Sequence, residues 1–445
     1  MLVLKSNAFC LAFVLIVFTN AICTDAQLNH AEVLKTLGLT EGSIVNLSLA
    51  GHTPGDHFSG EVTIQEQQYT LDLRPHSIRS NNFNVRVQQA DGSYVQQQSQ
   101  ATRLLRGNLQ GVPGSRVVGS VLDTGLMAMI VMPQGETFYV EPIGSRAANA
   151  NPAAHVVYQS IDVVDGESNC GVVDPKDGLR NIVENQLDRK QQSPGPVAST
   201  LIQVAELAID ADFEFFELFG TEQATLDRIE LVVGITNEQF ETQVEITHAL
   251  STIIIRSAEP DPYTSLDAFE LLGEFVTHWV NEQQAVERDV AHLFTGKDLG
   301  NIGGIAFLNA ICNPNTGYGA DRIDFNGLLA CSTDLLAHEL GHNWSANHCS
   351  CADNTMNASL TCTNLFSAPS IQAITSFRDS LDCLEVQDGF LLGDVNLDGE
   401  VNLLDVAPFV DLLSTGGFQL EADINGDGTV NLLDVSGFVQ LLSDG

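Results

Sequence analysis

Positive charge is scarce in this chain. Its 445 residues carry 19 Lys and Arg against 57 Asp and Glu, a formal net charge of −38. Such a surface repels nucleic acid and anionic membranes, so neither is expected as a partner. It suits a protein that works among cations, either bound calcium or a salty medium, with plain solubility as the bland alternative. Long apolar runs are lacking too. The one near the start, Ala8 to Phe18, follows a single basic residue, Lys5, and is too short to span a bilayer comfortably. With small residues before a polar stretch it reads as a secretory signal peptide, cleaved after Cys23 or Ala26, against the alternative of an uncleaved anchor. No other segment approaches a membrane span. The mature protein is therefore expected to be secreted, with cell-surface attachment left open.

What is present points to a globular protein. Hydrophobic residues make up 44% of the chain, and its length suits two or three domains. Of nine cysteines, Cys10 and Cys23 lie in the signal segment. Cys312, Cys331, Cys349, Cys351, Cys362 and Cys383 form an even set, read as a disulfide framework whose pairing stays open. Cys170 is left over.

Short alternating runs such as Phe83 to Val87 and Glu136 to Val140, parted by Gly, Pro, Asp and Asn turns, predict a small all-β region from about Glu41 to Ile143. Gln191 to Pro196 reads as a linker, and Arg189-Lys190 before it as a cleavage point or simply charged surface. From about Ser199 the texture changes. Leu201 to Phe219 predicts strand then helix, Ile229 to Ile235 a buried strand, and the residues from Glu238 a helix. A strand is expected near Ile253 to Ile255, with helices at Leu266 to Asn281 and Leu328 to Asn343. Alternation of this kind indicates an α/β or α+β domain to about Leu384.

The central motif is His338-Glu339-Leu340-Gly341-His342. Residues four apart share a helical face, so His338 and His342 can hold one metal ion. Glu339 sits beside that ion, free to polarise a water. His348 is too far along for the same face, so the chain must turn after His342 to supply it as third ligand. Three protein ligands and an open position are the arrangement of catalytic zinc.

His338, His342 and His348 match the extended zinc motif of the metzincins, and HELGHNWSANH resembles the reprolysin (adamalysin) branch. Ser345 stands where that family usually has glycine, and Cys349 where it usually has Asp. The resemblance implies a methionine turn beneath the metal at Met356. It also implies a substrate-pairing edge strand at Gly304, Ile305, Ala306 and Phe307, by strand addition; an ordinary buried strand is the alternative. His292 is expected to be structural. The stretch from Arg103 to Ile143 resembles reprolysin propeptides. Cys170-Gly171-Val172 resembles the switch motif in which a propeptide thiolate blocks the fourth zinc position. A disulfide from Cys170 is the competing reading.

From about Gly389 the chain repeats itself: GDVNLDGEVNLLDVAPFVDLL, then ADINGDGTVNLLDVSGFVQLL. Asp394, Asn396, Asp398, Glu400, Asn402 and Asp405 carry oxygen at calcium-loop spacing, as do Asp423, Asn425, Asp427, Thr429, Asn431 and Asp434. Hard oxygen donors suit Ca²⁺. The tail lacks Lys and Arg, so its carboxylates repel one another without cations. It resembles a type I dockerin, which implies a cohesin-like partner; a stabilising or cell-surface module is the alternative.

The expected order is a signal peptide (1–23) and an all-β propeptide with the cysteine switch (24–197). A metzincin catalytic domain with a mixed sheet and a zinc-binding helix follows (198–388), then a small all-α tail of paired calcium repeats (389–445). One catalytic Zn²⁺ and two Ca²⁺ are expected, with protein or peptide substrates. The reaction is peptide-bond hydrolysis with Glu339 as general base. The rival is a catalytically inactive, calcium-dependent adhesion or scaffold protein.

Overall fold

The computed structural model describes residues 30–164, 169–173, 202–387, 393–396 and 401–444, except 50, 51, 54, 55, 99, 113, 147–150, 152, 416, 418, 423 and 425–428. The signal segment, Arg189-Lys190, and the segment 191–196 lie outside the described residues.

A helix α1 (His30–Leu37) opens the described chain, followed by strands β1 (Ser43–Asn46), β2 (Phe58–Ile64) and β3 (Gln67–Pro75). The hairpin β4 (Arg79–Gln88) and β5 (Tyr94–Gln97) comes next. Then follow β6 (Leu104–Leu109), β7 (Arg116–Leu122), β8 (Gly125–Val131), β9 (Thr137–Pro142) and β10 (Ala154–Gln159). Eight of these form an antiparallel sheet in the order β1-β10-β9-β8-β7-β6-β3-β2. The hairpin β4–β5 departs from the expected all-β region by joining the other sheet. Val85 and Val87 are buried there in the core that the two sheets share.

That second sheet is mixed. It gathers β11 (Asn169–Val173), β12 (Ile202–Ala211), β13 (Ile246–Arg256), β14 (Val290–Phe294), β15 (Ile302–Phe307) and β16 (Tyr318–Asp321). Its order is β11-β15-β16-β14-β12-β13-β4-β5, and β17 (Glu385–Gln387) pairs with the start of β12. β15 runs antiparallel to β16, whereas β11 runs parallel to β15.

Helices fill the space around it: α2 (Phe213–Phe219), α3 (Glu222–Val244), α4 (Ala268–Glu282), α5 (Leu329–Asn343) and α6 (Ala368–Arg378). Ile229 to Ile235, expected as a strand, lies inside α3. The correction has a plain cause. α3 is buried on all sides, so its apolar run shows no helical period, and such a run cannot be told from a buried strand by pattern alone. Its start is well specified, with Thr221 Oγ1 accepting from the Ala224 amide at 3.2 Å.

One core runs through both parts of the chain: Tyr139, Val156 and Tyr158 pack in the same cluster as Ile229, Leu231, Leu340 and Trp344. A second core lies beneath α4, joining Leu271, Phe275 and Trp279 to Ile305 and Tyr318. The scarce arginines are concentrated where the two parts meet. Arg79 pairs with Glu230, Arg106 with Glu238 at 3.0 Å and Glu241 at 2.7 Å, and Arg116 with Glu238. Arg103 reaches Asp227 at 3.4 Å. All four acids belong to α3.

The six expected cysteines pair as Cys312–Cys383, Cys331–Cys362 and Cys349–Cys351, and Cys170 is a free thiol. The described tail holds α7 (Val406–Thr415) and α8 (Val435–Asp444), joined by Phe409 stacked on Phe438 at 4.0 Å.

Removing one partner of a buried ion pair leaves the other charge unsolvated. Glu230→Ala, which strands Arg79 and the Thr102 hydroxyl, is therefore expected to lower unfolding free energy by about 3 kcal/mol. Urea denaturation of the full chain measures it.

Candidate metal centre

The site is built on α5. His338 and His342 lie one turn apart and present their Nε2 atoms to each other at 3.0 Å. Each ring is held from behind: His338 Nδ1 donates to the Thr355 carbonyl at 2.6 Å and His342 Nδ1 to the Ala346 carbonyl at 2.7 Å. With the protons on Nδ1, both Nε2 atoms carry bare lone pairs.

The turn after α5 brings in the third ring. Ser345 takes φ 81°, the left-handed conformation usually given to glycine, at a cost of about 1–2 kcal/mol. Ser345 and Ala346 donate their amides to the His342 and Gly341 carbonyls at 2.9 and 2.8 Å. The chain then returns, and His348 Nε2 stands 3.2 Å from His338 Nε2.

Cys170 supplies a fourth donor from β11. Its Sγ lies 3.7 Å from His342 Nε2, and the four donor atoms all fall within 4.8 Å of one another. A tetrahedral zinc ion bound at ordinary lengths places nitrogens about 3.3 Å apart and nitrogen and sulfur about 3.6 Å apart. The donor set fits that ion. Three ring nitrogens converging at such distances form an arrangement that a shared cation would favour. Burial keeps the rings neutral, as ligands must be: it pushes His338 well below its usual range, with His342 adding to the effect, and His342 down to about 3.

Glu339 faces the same point. Its Oε1 accepts from the Cys170 thiol at 2.6 Å, while Oε2, buried, has no protein partner. Burial, with Asp321 nearby, pushes this carboxyl up, and the Cys170 hydrogen bond acts the other way. Gly304 on β15 makes room for it: a Cβ there would stand 2.5 Å from Glu339 Oε1.

β11 occupies the channel between β15 and the segment after Met356. Cys170 lies opposite Gly304, Gly171 opposite Ile305, Val172 opposite Ala306 and Val173 opposite Phe307. On the other flank the Cys170 amide donates to the Ala358 carbonyl at 3.1 Å. The expected substrate strand is thus paired with the chain's own thiol-bearing strand.

Comparison with known proteins agrees with this geometry. Residues 226–349 match the family described as Metallo-peptidase family M12B Reprolysin-like, and residues 392–442 match the Dockerin type I domain. The chain carries a reprolysin-like metallopeptidase domain and a type I dockerin domain. Curated relatives include Disintegrin and metalloproteinase domain-containing protein 18 of Macaca fascicularis, 25% identical over 293 residues, covering 63% of this chain and 37% of the relative. Another is Disintegrin and metalloproteinase domain-containing protein 2 of Homo sapiens, 24% identical over 302 residues, covering 66% and 39%. The chain thus spans under two fifths of the length of these relatives.

Met356 and His292 were expected in supporting places, whereas the parts played by Gly341, Thr355, Asp334 and Asn343 were not singled out beforehand. Met356 is fully buried, and a Cβ at Gly341 would meet its Sδ at 2.6 Å, so that glycine is what lets α5 rest on the methionine. Thr355 orients His338 and is itself held by Asp334 at 2.7 Å. Asn343 donates to the carbonyls of Phe307 and Tyr318, tying α5 to the edge strand. His292 stays outside the donor set; it bridges Asp321 at 2.6 Å and Asn343 at 2.8 Å. Local spacing signals none of these partners, because each is brought in from a distant segment.

In the dockerin domain, Asp398, Glu400, Asp423, Asn425 and Asp427 lie outside the described residues. Asp405 and Asp434 are fully buried and accept from the Asn402 and Asn431 amides at 2.8 and 2.9 Å. Asn402 and Asn431 in turn accept from the Leu404 and Leu433 amides, both at 2.8 Å. The two repeats therefore share one local geometry at the last loop positions. Asp394, Asn396 and Thr429 are described in the same loops.

His338→Ala is expected to cost the chain its zinc on dialysis, at least tenfold in affinity, whereas Met356→Leu retains it. Zinc per chain by atomic absorption distinguishes them.

Proposed function

We propose that this chain is a secreted zinc endopeptidase held latent by Cys170. The observation that supports it most is the position of that thiol, fourth donor to the three-histidine set and hydrogen-bonded to Glu339. The metallopeptidase family implies zinc and protein substrates; the dockerin domain implies calcium and suggests a cohesin-type partner. Domains of both kinds are typical of extracellular proteins, and no helix among the described residues is long and apolar enough to cross a membrane.

When bound, zinc supplies Lewis acidity, acidifying a water and polarising the scissile carbonyl. The chain's own groups do the rest. Once β11 leaves, the backbone of Gly304 to Phe307 is free to pair with an extended peptide. Glu339, aimed at the donor set with one oxygen unpartnered, takes a proton from the attacking water and passes it to the departing amine. Thr355 and Ala346 keep the imidazole rings aligned throughout. The remaining oxygen donors of the two tail repeats, Asp394 to Asp405 and Asp423 to Asp434, hold two Ca²⁺ ions and display the tail to a cohesin-like or cell-surface partner.

The rival reading, an inactive adhesion or scaffold protein, drew on Ser345 and Cys349. Ser345 adopts the turn that glycine would, and Cys349 pairs with Cys351; neither takes His348 out of the donor set.

The test is casein hydrolysis by the full chain, cut once between residues 174 and 201. Cys170→Ala protein is expected to hydrolyse casein, and adding Glu339→Gln to lower the rate by about two to four orders of magnitude. Folded, zinc-loaded Cys170→Ala protein that leaves casein intact would sink the endopeptidase reading.

A further inference from the structure

β11 reaches the site through five residues, whereas the N-terminal unit, residues 30–164, is built into the catalytic part at three places. The first is the zinc helix itself. Leu328 offers α5 no side-chain cap, and the buried Glu141 of β9 supplies it: Oε1 accepts from the Leu329 amide at 2.8 Å. Tyr158 on β10 donates to the same carboxylate and accepts from the Ala330 amide at 3.4 Å. Helix amides left without an acceptor inside a protein are costly, so α5 depends on a group from the other unit.

The second place is the far edge of the catalytic sheet. β4 pairs with β13 from Asn84 opposite Thr252 to Gln88 opposite Arg256. Arg256, fully buried, donates to Gln88 Oε1 at 2.5 Å and to the Tyr94 hydroxyl at 2.6 Å. Without the hairpin, β13 becomes an open strand edge.

The third is the acidic row of α3. Asp227, Glu230 and Glu238 are buried, and the arginines that balance them, Arg79, Arg103, Arg106 and Arg116, all come from the N-terminal unit. Buried carboxylates stripped of their partners oppose departure. All three disulfides lie between Cys312 and Cys383, so none among the described residues ties the two units together.

Resting on the latent-endopeptidase reading, we infer that the N-terminal unit is a lasting, noncovalent subunit of the active enzyme rather than a segment shed on activation. A cut between residues 174 and 201 turns β11 into the loose end of the N-terminal chain. That end can leave the cleft while residues 30–164 keep capping α5, covering β13 and neutralising α3.

The experiment uses the full chain with a site-specific protease sequence substituted at residues 191–196, cut and passed over a sizing column in high salt. Both pieces are expected to co-elute in equal amounts. Elution of the N-terminal piece apart from the remainder overturns the inference, whether or not the remainder stays folded. A double variant, Arg106→Ala with Arg116→Ala, checked for folding by circular dichroism before the cut, is expected to weaken the association by about a hundredfold. An unchanged association constant overturns the role given to the arginine row. The readout does not depend on catalysis. With Cys170→Ala in the same cut chain, a co-eluting pair that hydrolyses nothing keeps the subunit and removes the enzyme; separated pieces with an active remainder do the reverse.

Discussion

Four donor atoms converging on one spot are favoured by a positive charge between them, and the part of the chain around α5 is arranged to bring about that convergence. The rings of His338, His342 and His348 have their protons turned away or their charge suppressed by burial, and the Cys170 sulfur lies within 4.8 Å of their donor nitrogens. A cation bound among them would stabilise the arrangement. The surroundings are consequently rigid: Thr355 and Ala346 fix two of the rings, and Met356 fills the space under the helix that Gly341 leaves open.

Everything farther out serves to hold α5 and the edge strand in register. Asn343 ties the end of the helix to Phe307 and Tyr318, and its acceptor oxygen meets His292, which reaches Asp321. Behind α5 stands α3, buried from Thr225 to Phe240, with its acids matched to arginines from the N-terminal unit. In a chain with so few cations, committing four arginines to one helix face makes that contact the electrostatic seam of the molecule.

The convergence of His338, His342 and His348 was legible because its information is local: two histidines one turn apart and a third after a turn. Cys170 was legible by parity, since six other cysteines close on themselves. The paired repeats were legible from internal similarity, although five of the calcium ligands proposed in them fall outside the described residues. Other features carry no local mark. Ile229 to Ile235 looked like a strand because burial on every side erases helical period. The hairpin β4–β5 has ordinary alternation, and nothing in it shows which sheet it joins. Glu141, one acid among 57 Asp and Glu, gives no hint that it caps the zinc helix.

The most direct test of the account is X-ray absorption at the zinc edge on the intact, uncut chain. One zinc per chain with three nitrogen ligands and one sulfur is the expected result, the sulfur being lost in Cys170→Ala. A shell containing no sulfur, or a chain that takes up no zinc at all, would contradict the donor set on which the whole account depends.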